Sequence, residues 1–436
     1  MRAVRYACFV AALLVAPLAS RAAAQAPDHA VSRTEAEVDA ILSDTATAET
    51  LERSTSPSLS IYGFADFSVS TVVRDTGHTI EGYFGETPAF SVGNFNVYAA
   101  ADLTRGFKSL AEVRFTFLPN GAPDLGTGLR TSTAASDYTQ LSQPTRWGGV
   151  LIERIWLEYQ ILASLSIRVG HWLTPVGIWN VDHGSPTILT AFRPYVVGAN
   201  LFPVRQTGFE LHGSHLFGET TLGYHLTLSN GRGNAETYAD FDKNKAIGGR
   251  LYVSFEALGT LTLGVSAYYG RNTESDRIDV KGARGAYRLS PAISAQYDEL
   301  AYAGDLLFKL AGLHVQLEVI ATEGAYTERG RPRAPVIDGA GLVPDFRRWG
   351  GYLLIGYRLP WIGLMPLIDI EYMADGEAVT GGPASAGEIL AVGGGFNLRP
   401  TPQVALKLGV YHGNVKGAGV PSAKFDSLTA SVAWSF

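Results

Sequence analysis

Arginine and carboxylate side chains recur at alternate positions of segments whose intervening positions are apolar. In one such segment Arg154 and Glu158 alternate with Ile155 and Leu157. Side chains of a β-strand point to opposite faces in turn, so this spacing predicts strands with one charged and one apolar face. Charges on a water-filled face can pair with one another or set the electric field of a passage. The candidate residues of this kind are Arg114, Arg154, Glu158, Arg168, Arg250 and Arg358.

The segment 174–206 carries a second set of candidate residues. It contains Asp182, His183 and Arg193, and if the segment folds into the interior, these side chains would face a basic wall that includes Arg114, Arg154 and Arg168. Opposed acidic and basic groups at a constriction would orient polar solutes and sort ions. The alternative is that the charges pair with one another and only hold the segment in place.

Tight turns predict which charged residues lie opposite each other on neighbouring strands. A hairpin that turns at residues 163–164 places Arg168 opposite Glu158 and Trp172 opposite Arg154, which predicts an ion pair and a cation–π contact.

Two further pairs follow from the turns at residues 217–218 and 311–312. Asp305 lies opposite Glu318, where two carboxylates could bind a cation or share a proton, and His225 lies opposite Glu210 as a pair in the wall. Because none of these groups has a nucleophile or ligand set at a fixed position beside it, we expect no catalytic residue, no cofactor and no metal site. The sequence therefore predicts that the chain is not an enzyme.

The elements that position these residues are strands. Backbone groups inside a bilayer need hydrogen-bond partners, and without helices only a closed barrel supplies them. An arginine facing lipid near mid-membrane costs roughly 2–4 kcal/mol, so the charged faces must meet water. The sequence predicts an all-β chain that forms a closed antiparallel transmembrane β-barrel of about 16 strands, with short periplasmic turns and long external loops. The predicted strands are residues 59–74, 92–103, 107–118, 150–161, 165–173, 207–216, 220–229, 247–255, 261–271, 299–310, 313–322, 351–359, 364–373, 389–398, 404–412 and 425–436.

The N-terminal residues have the pattern of an export signal. Arg2 and Arg5 precede an apolar run that ends in small residues, which predicts a signal peptide over residues 1–24. Its removal takes away Cys8, the chain's one cysteine, and three arginines, so the net charge changes from −6 to −9. This balance excludes a basic surface for nucleic acid. Residues 25–57 are predicted to form a periplasmic segment with a possible short helix, and residues 58–436 the barrel.

The last nine residues alternate between apolar and small or polar side chains and end in Phe436. This pattern resembles the closing strand of bacterial outer-membrane barrels, where the terminal aromatic residue is read by the barrel-insertion machinery. The resemblance implies that Phe436 is an assembly signal.

The strand plan and the sequence Thr-Pro-Val-Gly at residues 174–177 resemble 16-stranded porins, including the phosphate-selective porin family, in which a Thr-Pro-x-Gly sequence follows the fifth strand. The resemblance implies a homotrimer in the bacterial outer membrane, surrounded by lipid. Each barrel would be a water-filled channel for passive diffusion of ions and small polar solutes, with the third loop folded inside. Acidic residues outnumber basic ones among the predicted lumen positions, unlike the basic pores of phosphate-selective relatives. The alternatives are an outer-membrane barrel enzyme, namely a hydrolase, and a closed structural or adhesive barrel.

Overall fold

A computed structural model describes most of residues 57–436. The described ranges are 57–75, 88–116, 149–182, 184–191, 193–232, 243–256, 259–275, 278–280, 287–289, 293–328, 345–378, 387–417 and 420–436. The predicted signal peptide, nearly all of the predicted N-terminal segment and His183 lie outside these ranges and stay predictions.

The described residues form strands and one helical turn. In chain order they are β1 (Ser58–Asp75), β2 (Ala89–Asp102), β3 (Phe107–Thr116), β4 (Gly149–Leu162), β5 (Leu165–Leu173), α1 (Tyr195–Gly198), β6 (Arg205–Phe217), β7 (Thr220–Ser229), β8 (Ala246–Phe255), β9 (Thr260–Ser275), β10 (Ile278–Val280), β11 (Tyr287–Leu289), β12 (Ile293–Leu310), β13 (Leu313–Tyr326), β14 (Phe346–Tyr357), β15 (Leu364–Ala378), β16 (Gly387–Thr401), β17 (Val404–Gly417) and β18 (Val420–Ser435).

The strands close into a single antiparallel barrel. Each strand pairs with its neighbour along the chain, except that β9 pairs with β12 and the small β10–β11 hairpin lies between them. β1 pairs with both β2 and β18, which closes the sheet. The barrel has 16 strands, each overlapping one of the predicted segments, so the predicted fold class is confirmed.

The connections differ in length between the two ends of the barrel. One end, called here the turn end, has the short connections 103–106, 163–164, 218–219, 256–259, 311–312, 358–363 and 402–403. The other, called here the loop end, has the longer ones, including 117–148 and 174–204. The link between β17 and β18 was expected to be long, but it is residues 418–419, because both strands continue to pair beyond their predicted ends.

The barrel is apolar outside and polar inside. Large aliphatic side chains face outward along the strands, for example Leu226, Val265 and Ile368, which are 55%, 60% and 57% exposed. Charged side chains such as Arg154 and Glu318 are instead buried. This distribution reverses that of a water-soluble protein and fits a sheet with lipid on its outer face. None of the helices within the described ranges is both long and apolar enough to cross a membrane.

The C-terminal residue completes the closure of the barrel. The backbone N–H and C=O of Phe436 form hydrogen bonds of 2.9 Å with Gly63 of β1. Its ring lies over Gly63, where an added Cβ would come within 2.8 Å of the ring, and 6.0 Å from the ring of Phe95. A side chain at Gly63 would also come within 2.4 Å of the backbone oxygen of Asn96 on β2, so glycine is needed at this position.

Deletion of Phe436 removes this last pair of interstrand hydrogen bonds and the ring packing. We expect less folded barrel in the outer-membrane fraction, measured by heat-modifiable gel mobility. Phe436→Ala keeps the backbone pair and should lose less folded barrel than the deletion. The control is Phe217→Ala, because Phe217 is an exposed aromatic residue at the turn end. Equal yields from the deletion and the control would contradict the importance of this contact.

Candidate functional site

The segment between β5 and β6, residues 174–204 and called here the internal loop, lies inside the barrel. Its first residues explain the Thr-Pro-Val-Gly sequence. The Thr174 hydroxyl donates to the C=O of Pro203, which joins the two ends of the loop. Gly177 has a φ of +65°, and an added Cβ would lie 2.1 Å from Oε2 of Glu318 on β13. Glycine is therefore needed both for the left-handed backbone and for the close approach to the wall.

Side chains of the wall bind the backbone of the internal loop. Two carboxylates accept hydrogen bonds from its N–H groups. Glu318 accepts one from Trp179 and Glu371 accepts one from Tyr195, both at 2.6 Å. Basic side chains donate to its carbonyl groups. Arg250 binds Gly177 O at 2.7 Å, Arg348 binds Ala199 O at 3.1 Å, Arg399 binds Pro186 O at 2.5 Å, and Lys407 binds Ser185 O at 2.6 Å. The loop is therefore attached to β8 and to β13–β17, and the latter lie across the interior from the strands that begin and end it.

Apolar packing holds the second half of the internal loop. The helical turn α1 and the residues after it bury Val196, Val197, Leu201 and Phe202, each 1% exposed. They pack in one cluster with Tyr268, Ile320, Tyr352 and Met373 of the wall. This half of the barrel interior is consequently filled with side chains rather than open to solvent.

The predicted lumenal arginines of β4 and β5 are paired within the wall. Arg154 binds Glu112 at 2.6 Å, and Arg168 binds Glu158 at 2.8 Å and Glu210 at 2.9 Å. All five side chains are buried. Glu158 lies opposite Arg168 on the neighbouring strand, as the position of the turn predicted. Because their charges are compensated, Arg154, Glu158 and Arg168 contribute to the wall more than to the field of the interior.

The predicted cation–π contact of Arg154 differs in the structure. The guanidinium of Arg154 lies 5.5 Å from the ring centroid of Tyr98, and that of Arg168 lies 4.3 Å from the ring of Trp156. Trp172 is fully buried in an aromatic cluster with both of these rings. Tyr98, the aromatic partner of Arg154, comes from β2, so the pairing of β4 with β5 does not determine this contact.

A β-bulge adds a buried carboxylate that the sequence analysis missed. Glu112 pairs with Arg154 but Val113 pairs with Ile152, so Glu153 is an extra residue in β4. Glu153 is fully buried beside Arg154, although strict alternation would place it toward lipid. The signal in the sequence was the pair of adjacent charged residues in a spanning strand, since both can face inward only where a bulge interrupts the alternation.

Glu153 is surrounded by a cluster of three arginines, called here the arginine cluster. Arg114 of β3 binds it at 3.1 Å, and Arg205 of β6 also forms an ion pair with it. Arg193 of the internal loop completes the cluster, and its guanidinium lies 5.3 Å from the ring centroid of Trp179. Arg193 interacts electrostatically with Arg205, Arg114 and Glu153. Three cations around one carboxylate leave a local excess of positive charge.

Two cavities adjoin the internal loop. The loop-end cavity, about 270 Å³, is lined by the arginine cluster together with Asp66, Asn180 and Lys407. The turn-end cavity, about 480 Å³, reaches the turns at residues 311–312 and 402. Trp179 and Ile188 of the internal loop line both cavities. These two side chains therefore lie where the cavities approach each other.

The predicted constriction residues are divided between these cavities. Arg114 and Arg193 line the loop-end cavity together. Asp182 instead lines the turn-end cavity, whose lining also includes Lys309, Arg358 and Arg399. The structure thus does not bring Asp182 opposite Arg114, because the loop backbone turns at residues 178–182, with Asp182 N–H bound to Ile178 O at 3.1 Å.

The two other predicted pairs have separate outcomes. Asp305 lies opposite Glu318 as predicted, but Asp305 is bound by Arg250 at 2.7 Å. His225 lies opposite His212 rather than Glu210, so the predicted register was wrong, because β6 continues to Phe217 and moves the turn to residues 218–219. The His225 ring nevertheless reaches Glu210 diagonally at 2.9 Å.

Within the described ranges, no group of three His, Cys, Asp or Glu residues is arranged to hold a metal ion.

Comparisons of the sequence show little. No protein-family model matches the chain. An uncharacterized protein of Aquifex aeolicus is 28% identical over 164 residues, which are 34% of this chain and 36% of that protein. The chain thus matches about a third of the length of this curated relative.

Comparisons of the structure find the same fold in solved outer-membrane proteins. OmpT of Vibrio cholerae, in its trimer form, is 10% identical, with a TM-score of 0.53 over 87% of this chain and 100% of that chain. The outer membrane channel DcaP of Acinetobacter baumannii is 12% identical, with a TM-score of 0.50 over 88% and 99%. An anion-selective porin from Comamonas acidovorans is 11% identical, with a TM-score of 0.50 over 87% and 100%.

The closed 16-stranded barrel and its apolar outer face define the class of this protein. It has the fold of the bacterial outer-membrane β-barrels, among them porins, and an apolar belt of this kind places it in that membrane.

Replacement of Gly177 tests how the internal loop is held. Gly177→Ala should destabilise the seated loop, because an alanine with positive φ costs roughly 1–2 kcal/mol and its Cβ would displace Glu318. We expect a larger and noisier single-channel current from a barrel that still shows heat-modifiable mobility. The matched control is Gly198→Ala in α1, where an added Cβ meets nothing within 4 Å. The same current from both variants would show that Gly177 does not determine the position of the loop.

Proposed function

We propose that the protein is a passive outer-membrane channel for ions and small polar solutes, narrowed by the internal loop. The observation that carries this proposal is the pair of cavities on the two sides of the loop, which approach each other at Trp179 and Ile188. The turn-end cavity reaches the turns, whereas Arg114 and Arg205 of the loop-end cavity lie near the loop ends of β3 and β6. By the usual topology of such barrels, the turn end is periplasmic and the loop end external.

We propose further that the loop-end cavity favours anions. The arginine cluster and Lys407 line it, whereas Asp66 is the acidic side chain among its described lining residues. In a narrow space with low-dielectric walls, uncompensated positive charge raises the local concentration of anions. The Comamonas acidovorans barrel with the same fold is described as anion-selective, which agrees with this direction. Phosphate as the specific solute gains no support from the fold comparison.

The absence of catalysis and of a cofactor remains part of this proposal. Two histidines of the wall could be considered for a hydrolase, but His225 binds Glu210 at 2.9 Å and His314 lies 3.3 Å from Gln316. Both contacts fit a structural role. A role of Phe436 in recognition by the barrel-insertion machinery is likewise proposed, in addition to its part in closure.

The ion preference of the channel can be measured as a reversal potential in planar bilayers under a salt gradient. Arg114→Ala should shift it toward cation preference, and Asp182→Ala toward anion preference, because each removes one charge from a cavity lining. Both shifts should fade near 1 M salt, where the Debye length is about 3 Å.

The control is Lys416→Ala, since Lys416 is an exposed residue that pairs with Glu388 at the loop end. Its reversal potential should equal that of the unmodified protein. If Arg114→Ala and Asp182→Ala also leave the reversal potential unchanged while both proteins conduct, the selectivity does not arise in these cavities. Failure of the unmodified protein to conduct would contradict the channel itself.

We also propose that three barrels associate side by side as a homotrimer. OmpT of Vibrio cholerae, which shares the fold, is described in a trimer form. The outward positions of β2 and β3 include the small side chains of Ala99 and Ala111, which lie opposite each other. A smooth surface of this kind lets two barrels approach closely within lipid.

A bulky residue on this surface should prevent the association. We expect Ala111→Trp to yield folded monomers by chemical cross-linking in membranes, where the unmodified protein yields trimers. The control Leu390→Trp replaces an exposed residue of β16 and should leave the trimer intact. Monomers in the unmodified protein, or trimers in Ala111→Trp, would contradict the proposed interface.

A further inference from the structure

The two cavities differ in chemistry in a way that the passage of simple ions does not require. The loop-end cavity is polar and basic, with the arginine cluster, Asn180 and Lys407 in its lining. The turn-end cavity combines polar groups with a set of apolar side chains, which include Ile178, Leu313, Leu354 and Met365. A hydrated ion gains nothing from such side chains, whereas an apolar group that leaves water there does.

Trp179 connects the two environments. Its indole lines both cavities, and the guanidinium of Arg193 lies 5.3 Å from its ring centroid. A cationic site and a flat apolar surface are therefore adjacent at the point where the cavities approach. The main chain of Trp179 is fixed by the hydrogen bond of its N–H to Glu318 at 2.6 Å, which keeps the indole at this position.

The charges along the cavities select the sign of the solute. Lys309, Arg358 and Arg399 also line the turn-end cavity, against Asp182 and Asp369. With the arginine cluster at the other side of Trp179, basic groups outnumber acidic ones among the described lining residues. Arginine binds carboxylates through paired N–H donors, which favours an organic acid over a spherical ion.

We propose that this interior binds organic monoanions with a flat apolar body, such as aromatic carboxylates. The carboxylate lies against the guanidinium groups of the arginine cluster, and the ring lies on the indole of Trp179 and the apolar lining beyond it. The assignment of this class as a transported solute rests on the proposed channel function. The volumes agree with a small solute, since pockets for drug-sized ligands measure roughly 300–1,000 Å³ and the loop-end cavity measures about 270 Å³.

The test compares three probes that separate charge from ring. Benzoate has both features, acetate lacks the ring and benzamide lacks the charge. Binding is measured by titration calorimetry on the folded full-length barrel in detergent. We expect benzoate to bind at least about fivefold more tightly than either of the others, the factor that a stacked ring of about 1 kcal/mol supplies.

Variants of Trp179 test whether benzoate binds at this residue. Trp179→Leu should bring the affinity for benzoate to within about twofold of that for acetate, because the ring contact is lost. Trp179→Phe keeps an aromatic surface and should retain the preference. The matched control is Trp361→Leu, since Trp361 is 73% exposed on a connection at the turn end. Heat-modifiable mobility of each variant verifies that the barrel is folded.

The possible results separate this inference from the channel. Equal affinities for the three probes, or an unchanged preference in Trp179→Leu, would overturn the proposed ligand class even if the protein conducts potassium chloride. Preferential benzoate binding without any conductance would keep the ligand class and contradict the channel. Preferential binding in a conducting barrel, together with a reduced chloride current in the presence of benzoate, would support both.

Discussion

The interior of this barrel depends on hydrogen bonds between wall side chains and the backbone of the internal loop. A loop without regular secondary structure carries N–H and C=O groups that water cannot reach inside a filled barrel, and each unsatisfied group is costly. Glu318 and Glu371 accept N–H groups, while Arg250 and Lys407 donate to carbonyl groups. These side chains come from distant strands, so the loop is held across the whole lumen.

The same requirement divides the charged residues of the wall into groups with different roles. Some pair with each other and stabilise the barrel, as Arg154 does with Glu112. Others bind the loop, as Lys407 does. The third group is the arginine cluster around Glu153, in which three basic side chains surround one carboxylate. A count of lumenal charges in the sequence treats all three groups alike, which explains why the acidic excess of the chain and the basic character of the loop-end cavity can coexist.

The position of the internal loop also shapes the interior of the barrel. Packing of α1 and its neighbours against Tyr268 and Ile320 fills part of this interior. Two cavities lie beside Trp179 among the residues that the structure describes. In the proposed channel, the charged and apolar surfaces that a solute meets are therefore set by a loop residue as much as by the wall, and its specificity can differ from that of other barrels with the same strands.

The sequence by itself determined the barrel. Alternation has a period of two residues and the turns are local, so the strands, their pairing and the facing of Arg168 and Glu158 follow from neighbours in the chain. Contacts between distant residues were decided only by the tertiary structure. The bulge that turns Glu153 inward depends on the partner strand, and the register of His225 depends on where β6 ends. The separation of Asp182 from Arg114 depends on the path of the internal loop, which is fixed by side chains more than 100 residues away, such as Glu318. No local period encodes such contacts, because they form only when the barrel has closed around the loop.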